Sequence, residues 1–264
     1  MTWVGGVTSM FGYGALYSDV QVTFPDGTTR DLIQKAYPIT NFIAAGFSGS
    51  VKVGFSLLQS MAGFTRLPDE ALKTQAWDPV WVARRWAPVA RSVFDSAREV
   101  ERSLGAQVLL LGASPNEDAG LGARMFLVRF ASPDFRPGIM VRLIMWCSIG
   151  SGAGIAEYKR RIKPHIRFVS AIHHAEVMNP NGWAQALASS LTRSLRDRPQ
   201  TGISRHLHAV VVRRGQVSTW NNDERIYHPD GSIEELRMPS VAQSYEQFQR
   251  LSAAAGMEAA CAIC

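Results

Sequence analysis

The sequence predicts an α+β fold, a four-layer αββα sandwich in which two antiparallel sheets pack face to face between pairs of helices. Predicted strands and helices follow one another in blocks, which argues against a parallel sheet built from alternating βαβ units. The 264 residues are 46% hydrophobic and 19% charged, a composition that supplies a large core and is not that of a disordered chain. We expect a main domain over residues 1–222 and an extension with one helix and a small-residue tail over residues 223–264.

The first third of the chain is predicted to form strands and then two helices. The runs "WVGGVTSM", "YGALYSDVQVTF", "RDLIQKAYPI" and "NFIAAGF" are apolar or alternating, as strands are, and "PDGT" predicts a hairpin turn. After "SGS" the apolar spacing becomes helical in "VKVGFSLLQSM". A second helix is predicted over "DPVWVARRWAPVARSVFDSAREVERS", with Asp78 as its cap and Pro79 in its first turn.

The remaining chain repeats this order of strands followed by helices. Strands are predicted over "AQVLLLGAS", "ARMFLVRFAS" and "GIMVRLIMWCSIG", and helices over "GSGAGIAEYKRRI" and "NPNGWAQALASSLTRSLRDRP". The segment "HLHAVVVRRGQVSTW" predicts a closing hairpin that turns at Arg214 and Gly215. In the extension, "SVAQSYEQFQRLSAAAG" predicts a polar helix. The terminal "CAIC" is interpreted as a tail, because it lacks the strand-to-helix context of a redox motif.

Composition and motifs argue against several classes of function. The net charge is +6 without a long Lys/Arg run, so no nucleic-acid partner is expected, and "GSG" lacks the residues of a phosphate-binding loop. The three cysteines favour a reducing compartment, and we expect a cytoplasmic protein with no membrane partner because signal-peptide and membrane-span patterns are missing. No cofactor or metal is expected, since His173, His174 and Glu176 lack a second ligand cluster at zinc spacing.

A threonine follows the initiator methionine directly. If Met1 is removed, Thr2 carries a hydroxyl nucleophile and an amine base on one residue. The alternative is that a terminal residue has no special role, as is usual for chain ends. The choice depends on whether the rest of the sequence supplies the other groups that a nucleophile needs.

Two charged residues interrupt predicted strands. Alternation in "LIQKAY" predicts that Lys35 shares a face with Ile33 and Tyr37, and Asp19 interrupts another apolar strand. An inward lysine is costly unless it has a partner. If Asp19 is that partner, the Lys35 ammonium can lower the pKa of a nearby hydroxyl. The alternative is an ordinary surface pair on an edge strand.

Two glycine-containing turns precede predicted helices. In "GFSGS" the backbone N–H of Gly49 is a candidate donor to an oxyanion, because it lies near a helix N-terminus. The alternative is a turn that needs glycine only for its backbone angles. The segment "SIGSGAG" has the same design and predicts that Ser151 hydrogen-bonds an α-amine.

Together these features resemble the proteasome β-type subunits and the related bacterial ring peptidases, which are N-terminal-nucleophile hydrolases with the αββα fold. The resemblance runs from Thr2 to about Asn222 and is strongest where "SDVQVT", Lys35 and "AAGFSGS" follow at about the family's spacing. It implies a threonine endopeptidase in which Thr2 is the nucleophile and its own amine, acting through a water, is the proton shuttle. Asp19 would orient Lys35, and Gly49 would supply the oxyanion N–H.

The resemblance assigns four further residues. Thr23 would pair its backbone with the substrate as an added strand, and Ser151 would lie beside the terminal amine. Thr201 corresponds to the serine of a family Ser-Gly pair. The family's supporting acid corresponds here to Arg198, so either Asp197 serves through an extra loop residue or that support is lost.

The resemblance also implies a pocket for the substrate residue that precedes the cut. All corresponding residues are apolar or aromatic: Val22, Ile33, Tyr37, Phe47, Val51 and Phe55. An open pocket of this kind would prefer apolar side chains. The alternative is that these residues are core and that Phe47 fills the space.

The family works in closed rings on peptides or unfolded proteins, which implies a homo-oligomeric single or stacked double ring without indicating an unfoldase partner. Two other functions remain open. One is an inactive scaffold subunit that retains Met1, and the other is a small-molecule amide hydrolase of the same superfamily.

Overall fold

The computed structural model describes residues 2–66, 77–116, 124–142, 144–163, 180–197, 202–227, 230–259 and 262–264. The strands in these ranges are β1 Val4–Thr8, β2 Tyr13–Asp19, β3 Gln21–Thr23, β4 Thr29–Asp31, β5 Ala36–Pro38, β6 Ile43–Gly49, β7 Ala106–Ala113, β8 Met125–Ala131, β9 Gly138–Arg142, β10 Met145–Ile149, β11 Leu207–Arg213, β12 Gln216–Asn221, β13 Glu224–Tyr227 and β14 Ile233–Leu236. The helices are α1 Val51–Phe64, α2 Pro79–Asp95, α3 Glu99–Ser103, α4 Ala156–Ile162, α5 Pro180–Asp197 and α6 Tyr245–Ala254, with a 3₁₀ turn over Ser151–Gly154.

Two five-stranded sheets dominate the structure. One has the strand order β10-β1-β2-β11-β12 and the other the order β5-β6-β7-β8-β9, while β3–β4 and β13–β14 form two-stranded sheets. Every described pair of these strands is antiparallel. The predicted α+β class with antiparallel sheets is therefore confirmed.

Alternating side chains on the sheets divide the core into three parts. Leu109 and Leu111 of β7 pack with residues of β1, β2, β8 and β11, and this cluster joins the two large sheets. Val108 and Leu110, on the opposite face of β7, pack against α1 and α2. The outer face of the other sheet packs against α5 through Ala209, Val211 and their neighbours. Because successive side chains of a strand point to opposite faces, β7 and β11 each pack one face against the other sheet and the opposite face against helices.

Most predicted elements are present with small shifts of their ends. Asp78 caps α2, since its Oδ1 accepts hydrogen bonds from the backbone N–H groups of Val80 at 3.0 Å and Trp81 at 2.9 Å, and Pro79 begins the helix. The "PDGT" turn closes through a 2.8 Å hydrogen bond from the Phe24 N–H to the Thr28 carbonyl. The first and last predicted hairpins are therefore correct.

Three predicted strands were wrong as continuous elements. "YGALYSDVQVTF" divides into β2 and β3, which belong to different sheets. "GIMVRLIMWCSIG" divides into β9 and β10, which pair with β8 and β1 in different sheets. "RDLIQKAYPI" divides into β4 and β5, because the Ile33 and Gln34 N–H groups bond the carbonyls of Val20 and Ala242 outside any ladder. Lys35 consequently lies just before β5 and not within a strand.

Helix ends and the extension also differ from the prediction. The predicted second helix ends at Asp95, where the Ser96 hydroxyl donates to the Val93 carbonyl at 2.8 Å, and α3 follows as a separate short helix. The extension contains the unpredicted hairpin β13–β14 in addition to α6. Its Phe248 is buried in the main core. Among the described helices, none has the length and hydropathy to cross a membrane.

Two glycines of α1 provide a stability test of the packing between this helix and the sheet. A Cβ at Gly54 would lie 1.9 Å from Cδ2 of Phe47, whereas a Cβ at the exposed Gly63 meets nothing within 4 Å. Gly54→Ala should lower the free energy of unfolding by about 1–3 kcal/mol through overpacking. Gly63→Ala should raise it by roughly 0.5–1 kcal/mol through helix propensity. Urea denaturation measures both, and equal effects would contradict the packing described here.

Candidate active site

Thr2 is held immediately before β1 by the glycine-rich turn that follows β10. Its backbone N–H donates to Ser151 Oγ at 2.8 Å, and its carbonyl accepts from the Gly152 N–H at 3.0 Å. A Cβ on Gly150, whose φ is +86°, would lie 2.5 Å from the Thr2 carbonyl oxygen, so glycine is required there. The Thr2 backbone is thereby fixed on two sides.

The hydroxyl of Thr2 is buried without a partner. The residue is 2% exposed, and its Oγ1 makes no hydrogen bond with any described residue. Leaving a buried hydroxyl unsatisfied costs about 1–3 kcal/mol, and most buried polar atoms in proteins are satisfied. Five other buried side-chain atoms of the described residues, among them Trp3 Nε1 and Ser18 Oγ, also lack a partner, so the Thr2 hydroxyl indicates a function only together with the residues around it.

A fully buried ion pair is hydrogen-bonded to the backbone N–H of Trp3, the residue after Thr2. Lys35 Nζ lies 2.6 Å from Oδ1 of Asp19, and both side chains are completely inaccessible to solvent. The same carboxylate accepts the Trp3 N–H on Oδ2 at 2.7 Å and the Gln21 N–H on Oδ1 at 2.8 Å. The two charges are thus coupled to the backbone of the residue that follows Thr2.

The predicted pairing of Asp19 with Lys35 is present, and the alternative of a surface pair is wrong because neither side chain reaches solvent. Burial raises the pKa of Asp19, while the Lys35 ammonium opposes that rise. Asp19 is the last residue of β2, whereas the sequence predicted that it lies within a longer strand. Lys35 is directed inward from an irregular segment, so its burial does not come from strand alternation.

Gly49 ends β6, and its backbone N–H donates to the main-chain oxygen of Cys264 at 2.5 Å. Its φ is +101°, and a Cβ would lie 2.3 Å from the Gly105 carbonyl oxygen, so another residue would displace this turn. The next residue, Ser50, caps α1 and donates at 2.5 Å to the buried Glu101 carboxylate. Arg98 holds the other carboxylate oxygen at 3.2 Å. The hydrogen bonds among Ser50, Glu101 and Arg98 therefore stabilise the turn that follows Gly49.

A cavity of about 330 Å³ brings several of these residues together. It is bounded among others by Thr2, Gly49, Gly105, Ser151, Ile263 and Cys264. A nucleophile candidate, Thr2, and an oxyanion-donor candidate, Gly49, therefore line one cavity.

Thr23 ends β3 and pairs with Ile263 in both directions. Its N–H donates to the Ile263 carbonyl at 2.9 Å, and the Ile263 N–H donates to its carbonyl at 3.0 Å. Thr23 was predicted to pair its backbone with an added strand. In this structure Ile263 of the same chain occupies that position.

Some predicted site residues are not described. Asp197 is the last residue of α5, and its side chain lies outside the described atoms, as does Thr201 entirely. Their supporting roles stay predictions. The His173, His174 and Glu176 segment also lies outside the described residues.

The residues predicted to line a substrate pocket form a closed apolar cluster. Val22, Ile33, Phe47 and Val51 are fully buried, and Tyr37 and Phe55 are half-buried against them. The Phe47 ring packs 5.2 Å from that of Phe55, centroid to centroid. Cys264 belongs to this cluster, so the space is occupied in this structure by the chain itself.

Two groups of residues were missed by sequence reasoning. The first is Gly150 with Gly152, whose roles follow from the quoted "SIGSGAG" but only once Thr2 is known to contact that turn. The second is the segment 262–264, which carries no local signal. Its hydrogen-bond partners lie far away in the sequence.

A Ser-His-Asp cluster also lies in the described part of the chain. Asp31 Oδ2 is 2.7 Å from both His206 Nδ1 and Ser204 Oγ, which are 3.2 Å apart. Burial would raise the pKa of Asp31, but these hydrogen bonds hold it below its usual value. Serine and aspartate meet the same ring nitrogen, whereas a catalytic triad uses opposite ones. The cluster therefore fits a structural role.

No protein-family model matches the sequence, and a search of curated proteins found no match.

The ion pair can be tested through stability alone. Asp19→Asn leaves Lys35 as an uncompensated buried charge and should lower the free energy of unfolding by about 3–5 kcal/mol. Lys35→Met should have a similar effect because it leaves the Asp19 carboxylate without its cation. The double variant should cost clearly less than the sum of both, since it removes both charges. Additive costs in urea denaturation would contradict the coupling.

Proposed function

We propose that the protein is a threonine-type endopeptidase resembling the proteasome β-type subunits, with Thr2 as its nucleophile after removal of Met1. The observation that carries the proposal is the buried, unpartnered hydroxyl of Thr2 at a cavity shared with the Gly49 N–H. Unsatisfied buried polar groups cluster at functional sites, where chemistry compensates for their cost in stability. The buried Asp19–Lys35 pair, which holds the backbone N–H of the next residue, Trp3, would supply the charge that such a hydroxyl needs.

We also propose the four-layer αββα sandwich as the architecture. The alternating burial on β7 and β11 supports it, because each strand contributes one face to the contact between sheets and the other to a helix layer. The helices α1 and α2 would form one outer layer and α5, with α4, the other. N-terminal-nucleophile hydrolases share this arrangement.

The reaction follows from these groups. The Thr2 oxygen attacks the peptide carbonyl carbon while its proton passes through a water to the α-amine that removal of Met1 exposes. The carbonyl π electrons move to oxygen, and the Gly49 N–H stabilises that oxyanion. Collapse breaks the C–N bond, the departing amine takes the proton, and an acyl ester on Thr2 remains. Water activated by the same amine then hydrolyses the ester and restores the hydroxyl.

Lys35 acts on the nucleophile electrostatically. Its ammonium is excluded from solvent, so its field on a neighbouring hydroxyl is weakly screened and favours the ionised form. Asp19 keeps the lysine charged and oriented, and ties it to the backbone through the Trp3 N–H. Ser151 would accept a hydrogen bond from the exposed α-amine, since it already accepts from the Thr2 nitrogen.

The resemblance further leads us to propose a homo-oligomeric ring, single or stacked double, acting on peptides or unfolded proteins. The helices that follow Gly49 and Gly152 would form the contacts between subunits. A cyclic arrangement closes a heterologous interface without leaving a free edge.

Replacement of the nucleophile tests the proposal. Thr2→Ala should lower the rate of peptide hydrolysis by on the order of 10⁴-fold or more, because the acyl intermediate forms on the Thr2 hydroxyl. Thr2→Ser keeps a hydroxyl and should retain measurable turnover. Thr219→Ala, at an exposed site on β12, is the matched control and should match the parent protein. Turnover of a fluorogenic peptide is measured, and full activity of Thr2→Ala would overturn the assignment.

The same assay separates peptidase from amidase activity. An endopeptidase gains transition-state stabilisation from the extended substrate chain, so truncating a peptide to a simple amide should lower kcat as well as kcat/KM. Equal rates on both substrates would favour the small-molecule amide hydrolase instead.

A further inference from the structure

The segment 262–264 lies as a short strand in the cleft beside Thr2. The Ile263 backbone exchanges two hydrogen bonds with Thr23, at 2.9 and 3.0 Å. On the other side of the cleft, the Val51 N–H donates to the Ala262 carbonyl at 3.1 Å. The segment thus joins the edge at β3 to the start of α1 as an added antiparallel strand.

Cys264 occupies the position next to the candidate nucleophile. Its carbonyl oxygen accepts the Gly49 N–H at 2.5 Å, and its own N–H donates to the Gly49 carbonyl at 2.9 Å. The donor that would stabilise an oxyanion therefore already holds the main-chain oxygen of Cys264, in a cavity that Thr2 also bounds. Backbone pairing of this kind is how proteins bind extended peptides irrespective of sequence, while side-chain pockets select among them.

The side chain of Cys264 fills the apolar space beneath this strand. It is 3% exposed and packs in one cluster with Val22, Phe47 and Val51. The Phe47 ring lies against Gly54 and limits the depth of that space, which leaves room for a small side chain. Burial raises the pKa of the Cys264 thiol to about 12, although the Lys35 ammonium opposes the rise, so the thiol is neutral.

We propose that residues 262–264 occupy the peptide cleft as a ligand in cis, and that the cleft accepts extended peptides with a small uncharged residue where Cys264 lies. The segment would have to leave before an external peptide can bind. The identity of that peptide as substrate rests on the proposed function, whereas the occupancy of the cleft does not require catalysis.

The test uses the full chain carrying Thr2→Ala, so that binding is measured without hydrolysis. Ile263→Pro removes the N–H that donates to Thr23 and should release the segment, while Ile263→Val keeps this donor and is the matched control. Native-state alkylation by iodoacetamide, located by mass spectrometry, should label Cys264 at least about tenfold faster in the proline variant. An unchanged labelling rate would overturn the proposal.

Peptide binding provides the second readout. A fluorescent peptide with the sequence of the segment 258–264 should bind the Ile263→Pro protein at least about tenfold more tightly than the Ile263→Val protein, measured by anisotropy. The same peptide ending in arginine should bind at least about tenfold more weakly, because its charge would enter the apolar space. Faster labelling without peptide binding would mean that the segment is a structural strand, and would also overturn the proposal.

A second variant controls for misfolding. A hydrolysis assay distinguishes failure of the proposed function from failure of the proposed occupancy of the cleft. Cys264→Arg should release the segment by a different route and bind the peptide as the proline variant does, with thermal unfolding confirming that both variants are folded. Peptide binding without hydrolysis in the protein that retains Thr2 would contradict the proposed function alone. Hydrolysis that is equally fast with Ile263→Pro and Ile263→Val would contradict the occupancy of the cleft alone.

Discussion

The buried ion pair of Asp19 and Lys35 is the interaction on which the arrangement of the site depends. One carboxylate binds the lysine, the backbone that follows Thr2, and the Gln21 N–H at the start of β3. Desolvation of two charges can exceed their attraction, and an apolar pair of similar size would often stabilise a core equally well. In the proposed mechanism this pair, which has no solvent access, acts electrostatically on the unpartnered hydroxyl of Thr2.

Two glycines bring backbone groups close to this pair. Gly49 and Gly150 both have positive φ, and a Cβ at either would clash with a carbonyl oxygen. The first directs an N–H into the cleft and the second allows the turn at Ser151 to grip Thr2. The cleft they form is open to an extended strand, and the chain's own segment 262–264 fills it. Thr2, Gly49, Ile263 and Cys264 thus line one small cavity.

Local patterns in the sequence predicted the structural features that depend on residues close together in the chain. Apolar alternation predicted β6, and helical spacing predicted α1. Thr2, Asp19, Lys35 and Gly49 were selected as candidate site residues because their residue types are unusual at those positions. The division of one apolar run into β9 and β10 was not readable, because it depends on which sheet each half joins. The irregular backbone before Lys35 and the burial of Cys264 likewise depend on partners distant in sequence, which no local period encodes.

The most direct measurement is the intact mass of the purified protein before and after exposure to a peptide epoxyketone, an electrophile that reacts with an N-terminal threonine through its hydroxyl and amine. The account predicts a mass without Met1 and a single adduct that fragmentation locates on Thr2. Release of the segment 262–264 by Ile263→Pro would speed that reaction. A mass that retains Met1 and gains no adduct in either protein would contradict the account, and would identify a scaffold without a working nucleophile.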